Sequence, residues 1–71
     1  MLEYAAFPSS AIDLATYDDK QLLMTIRFES GHVYEYAMVP PSIFEEYKQA
    51  ASKGRYFQAE IRDFFPFSRI G

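Results

Sequence analysis

The stretch LLMTIRFESGHVYEYAMV, residues 22–39, decides the fold. Its first part sets Leu22, Met24, Ile26 and Phe28 on one side and Leu23, Thr25 and Arg27 on the other, the period of two of a half-buried strand. After Glu29-Ser30-Gly31 the alternation resumes, with Tyr34, Tyr36 and Met38 on one face and Val33, Glu35 and Ala37 on the opposite one. Two such runs around a glycine-bearing turn make a β-hairpin. A three-residue loop ending in Gly31 places that glycine in the left-handed region, where the missing Cβ removes the steric penalty. This loop pairs Phe28 with His32, Ile26 with Tyr34, Met24 with Tyr36 and Leu22 with Met38, so the large apolar groups share a face. A two-residue loop would set Ile26 against Glu35 and turn the tyrosines to the other side, a one-residue slip that the hydrophobic pattern rejects.

Upstream, AIDLATY places Ile12 and Leu14 on one side of a short extended segment and Asp13 on the other, and the following DDKQ reads as a turn. Downstream, Pro40 and Pro41 cannot donate to a sheet ladder and pre-set the backbone for a helix start. Ser42 and Glu45 have the spacing of a capping box, which predicts a helix from Pro41 to Ala51 with Gly54 as its stop. A second helix in RYFQAEIRDFF, residues 55–65, carries Phe57, Ile61 and Phe64 on one face and Arg55, Gln58 and Arg62 on the opposite one, and Pro66 ends it. The expectation is an α+β domain: a small antiparallel sheet of about three strands, in β-β-β-α-α order, with two C-terminal helices packed on one face. Residues 1–71 form one domain, of which 1–8 are expected to be a flexible N-terminus.

A chain of 71 residues buries only about 60% of the surface its unfolded form exposes, so modest stability is expected. With no cysteine and one histidine, neither a disulfide nor a histidine-rich metal site supports it, and no cofactor is expected. Apolar packing must hold the fold, and seven Phe and six Tyr supply large side chains for it. Charge is unevenly distributed: residues 1–47 hold two basic and eight acidic side chains, whereas residues 48–71 hold five basic and two acidic. Such asymmetry can mark a site for an anionic partner. The start of the chain has no basic leader and no apolar run of membrane-spanning length, so a cytoplasmic protein without a membrane partner is expected.

The residues collected so far include Tyr34-x-Tyr36, Val39-Pro40, Ser52-Lys53-Gly54, Tyr56-Phe57 and Ile61-Arg62. In order and spacing, from about Ser9 to Ile70, the chain resembles the KTSC domain. That module is named for its occurrence at the C-terminus of some lysyl-tRNA synthetases and also occurs as a stand-alone bacterial protein. Gln58 departs from the family pattern, where Asn follows the Tyr-Phe pair, and a local hydrogen bond is expected to differ there. The resemblance implies a domain without an assigned activity and with a suggested link to RNA, a warrant by association.

Tyr34 and Tyr36 could stack unpaired bases, but the same face holds Met24, Ile26 and Phe28, so the motif residues Tyr34, Tyr36, Phe57 and Ile61 are expected in the core. Arg55 and Arg62, seven residues apart on one helix with Gln58 between them and Lys53 just before, form the candidate RNA-binding set through phosphate contacts. His32 lacks companions at metal-ligand spacing, and Asp18-Asp19 and Glu45-Glu46 do not converge as an acid–base pair. Ser9, Ser10 and Ser52 have no evident base beside them and no phosphate-binding glycine loop is present. An enzyme is therefore not expected. The leading expectation is a binding module for RNA such as tRNA, and the rival is a protein-interaction module or small homodimer.

Overall fold

The computed structural model describes residues 2–5 and 12–71. At its centre is the hairpin of β3 (Leu23–Phe28) and β4 (Val33–Tyr36), preceded by β1 (Leu2–Ala5) and β2 (Ile12–Asp18). Two helices follow, α1 (Pro41–Gln49) and α2 (Lys53–Glu60), and β5 (Phe67–Arg69) returns to the sheet. The strands lie in the order β1-β2-β3-β4-β5, each antiparallel to its neighbour. The α+β class and the strand-then-helix order are those expected, with β1 and β5 added at the two edges of the expected three strands. β1 stands within the stretch 1–8 expected to be a flexible N-terminus, of which residues 1 and 6–8 lie outside the described residues.

The hairpin has the register its loop requires: Ile26 faces Tyr34 and Met24 faces Tyr36. Gly31 has φ +94°, its N–H donates to the Phe28 carbonyl at 2.9 Å, and the Phe28 N–H donates to the His32 carbonyl at 2.9 Å. The expected pairing of Leu22 with Met38 on the core face fails. Both residues have positive φ (56° and 63°), which swings their side chains to solvent, and Val39 is buried in place of Met38. Leu14 also leaves the face of Ile12. Ile12 pairs with Phe28 but Leu14 with Arg27, so a bulge inserts an extra residue and hands the core face to Ala15 and Tyr17.

One face of the sheet is covered by the helices. Phe44 of α1 stacks on Tyr17 of β2 with centroids 5.1 Å apart, and Tyr47 continues the stack. Phe57 of α2 meets Phe28 and Tyr36 edge to face at 5.5 and 5.4 Å. The buried Tyr17 hydroxyl donates to the Val39 carbonyl at 2.6 Å, tying β2 to the segment that enters α1. The opposite face of the sheet carries more polar groups, including an exposed Arg27–Asp13 ion pair at 2.8 Å. Such a pair contributes little, about 0–1 kcal/mol.

Helix boundaries differ from expectation for local reasons. Pro40 is the residue before α1, no side chain caps that helix, and Glu45 pairs with Lys48 at 2.8 Å, so the Ser42–Glu45 capping box does not form. Ala50 turns extended and ends α1 without a glycine. Ser52 then caps α2 by accepting the Arg55 N–H at 3.3 Å, so Gly54 lies inside α2 instead of stopping α1. α2 ends at Glu60, and Phe64 is 66% exposed where a continuous helix would have buried it. Phe65 packs against the core in its place.

Candidate functional site

Five rings form a closed cycle of contacts at one end of the covered sheet face. Phe28 meets Tyr34 at 5.7 Å, Tyr34 meets Phe67 at 5.9 Å, Phe67 meets Tyr36 at 5.6 Å, Tyr36 meets Phe57 at 5.4 Å, and Phe57 returns to Phe28 at 5.5 Å. Each ring sits where its element puts it. Phe28 ends β3, Tyr34 and Tyr36 alternate onto one face of β4, Phe67 on β5 pairs across the strands with Tyr36, and Phe57 is the buried residue of α2. Edge-to-face contact sets the positive rim of one ring against the negative face of the next, which stabilises such a cluster beyond its buried area.

These rings line a cleft of about 650 Å³. Tyr36 and Phe57 form its buried floor, Tyr34 and Phe28 are half-buried, and Phe67 is 58% exposed at its lip. Polar groups stand around the opening: Glu29 and His32 from the hairpin end, Gln58 from α2, and Arg62 with Asp63 from the turn after it. A cleft of some 300–1,000 Å³ with apolar walls and a few convergent polar groups is the usual form of a small-ligand site. Burial, helped by the neighbouring Tyr34, pushes the Tyr36 phenol above its ordinary range, with Arg62 opposing the shift and Asp63 adding to it.

The candidate phosphate contacts do not act as one helical row. Arg62 lies beyond the end of α2, where its N–H donates to the Phe57 carbonyl at 2.9 Å, so the seven-residue alignment with Arg55 does not apply. Gln58 and Arg62 reach the cleft, whereas Lys53 and Arg55 do not line it. The Lys53 ammonium donates to the Ala50 carbonyl at 2.6 Å, and Arg55 is exposed on α2. Of the motif residues, Tyr36, Phe57 and Ile61 are buried and Tyr34 is half-buried. Phe28, Glu29, His32, Asp63 and Phe67 were absent from the expected site. Only the pairing of β5 with β4 brings Phe67 beside the tyrosines, and a three-residue strand leaves almost no periodic signal. Among the described residues no cluster of His, Cys, Asp or Glu could hold a metal ion, and no helix is long and apolar enough to cross a membrane.

The model of the KTSC domain family matches residues 8–65. The chain belongs to the KTSC domain family. Over its full length it superimposes on the whole crystal structure of a KTSC domain protein from Yersinia pestis, with a TM-score of 0.93 and 30% identity. A lysine–tRNA ligase of Nostoc punctiforme is 41% identical over 70 residues, which cover 92% of this KTSC domain but only 12% of the ligase. An uncharacterised protein of Stutzerimonas stutzeri is 34% identical over 56 residues, 79% of each chain. The same domain thus occurs both within a much longer synthetase and as most of a small protein.

Proposed function

We propose that this KTSC domain is a non-catalytic RNA-binding module that holds an unpaired nucleobase in the aromatic cleft, a tRNA being the natural source of that base. The observation that carries this reading is the closed cycle of five rings, open to solvent at Tyr34 and Phe67. Unpaired bases stack on aromatic side chains, and every base offers a π-face for doing so. The likeness to a segment of lysine–tRNA ligases supports RNA as the ligand class, by association. Gln58 and Arg62 serve the base at the rim, while Lys53 and Arg55 meet flanking phosphates outside the cleft. Such a role is a cytoplasmic one.

Phe67→Ala tests the reading. The ring is largely exposed, so the fold should persist, while loss of one stacking surface should weaken binding of a labelled single-stranded RNA by roughly 1–3 kcal/mol in fluorescence anisotropy. Unchanged affinity in the folded variant would refute the cleft as the RNA site.

A second reading rests on a different observation. β5 is an edge strand whose Phe67 is 58% exposed, and Phe64 and Ile70 near its two ends are 66% and 56% exposed. An exposed edge with apolar neighbours suits pairing with another protein chain or a second copy. Apparent mass that rises with concentration, without any response to RNA, would favour it.

A further inference from the structure

The cleft opening holds two carboxylates, Glu29 and Asp63, against one guanidinium, Arg62. For a site that only gripped phosphates this arrangement is adverse, since each carboxylate repels the backbone it should attract. The carboxylates gain a purpose if they face a base edge instead. Guanine alone among the four RNA bases presents two adjacent donors, N1–H and N2–H, on its Watson–Crick edge, which one carboxylate can accept together. Its neighbouring edge presents O6 and N7, two acceptors that match an arginine fork. The two edges meet at O6, and Asp63 and Arg62 are consecutive residues of one turn that both line the cleft with Tyr36.

Resting on the RNA reading above, we infer that the cleft selects guanine: the base stacks on the rings that line the cleft, Asp63 accepts from N1–H and N2–H, and Arg62 donates to O6 and N7. Adenine and cytosine offer a single amino group to Asp63, and uracil's one N–H lies between two acceptors that the carboxylate repels. Charge-assisted pairs of this kind are stronger than neutral ones, so the preference should survive in water at an open cleft.

The experiment measures affinity for four uridine-rich hexanucleotides that differ at one central position, carrying G, A, C or U, with the natural protein and with Asp63→Asn. Asp63 is exposed, and circular dichroism will show that the variant keeps the fold. The G-containing hexamer should bind the natural protein about tenfold or more tightly than the others. Asp63→Asn should remove most of that margin, the Arg62 contact to O6 and N7 remaining, while leaving the other three unchanged or slightly tighter, because a negative charge has been removed. Equal binding of all four, with loss on Phe67→Ala, would overturn guanine selection and leave the RNA reading standing. An equal effect of Asp63→Asn on all four would also overturn it. Failure of every hexamer to bind would defeat both.

Discussion

Tyr17 and Tyr47 show how single phenols hold this fold. The Tyr17 hydroxyl satisfies the Val39 carbonyl at 2.6 Å inside the core, so Tyr17→Phe leaves that acceptor without this donor. A loss of about 1–3 kcal/mol is expected in urea unfolding, with the native fold retained. Burial pushes the Tyr47 phenol up to about 12 from an ordinary value of 10.0. The folded state therefore holds this proton more tightly than the unfolded chain does. Its contribution is complete below about pH 10 and is lost as pH rises through about 12. Tyr56 shifts in the same direction, through burial and through the hydrogen bond it donates to Glu46 at 2.8 Å. Urea midpoints should fall across that alkaline window, and Tyr47→Phe should flatten the fall.

Among the elements, the hairpin was legible because a period of two on both strands and a glycine at the turn all specify one register. The bulge in β2 was not, since one inserted residue exchanges the faces of everything before it and leaves no mark in composition. The boundary between α1 and α2 turned on Ser52, whose capping bond to Arg55 outweighs the stop signal of Gly54. The candidate site was half legible for the same reason. Gln58 and Arg62 reach the cleft, but α2 ends before Arg62, and β5 adds Phe67 through a pairing far apart in sequence. The ends of β3 and β4 carry a local cost. Met38 has φ 63° although it is 69% exposed and packs little. A non-glycine residue in that region costs on the order of 1–2 kcal/mol. Met38→Gly should therefore stabilise the domain by roughly 0.5–1 kcal/mol in thermal unfolding, after the greater freedom of glycine in the unfolded chain is deducted.

At the scale of the whole molecule, the net charge of −3 and the mixed signs at the cleft opening make stacking, more than phosphate neutralisation, the basis of the proposed recognition. Single-stranded RNA held by one or two phosphate contacts should lose affinity with a log–log salt slope of only about −0.7 to −1.4. A basic groove that follows the backbone would give a much steeper slope. The most direct measurement is a backbone amide NMR titration with single-stranded RNA at low and moderate salt. Shifts at Tyr34, Gln58, Arg62 and Phe67 that persist at moderate salt are the predicted result. Absence of shifts at high micromolar RNA, or shifts confined to Lys53 and Arg55 that vanish with salt, would contradict the cleft as the RNA-binding site.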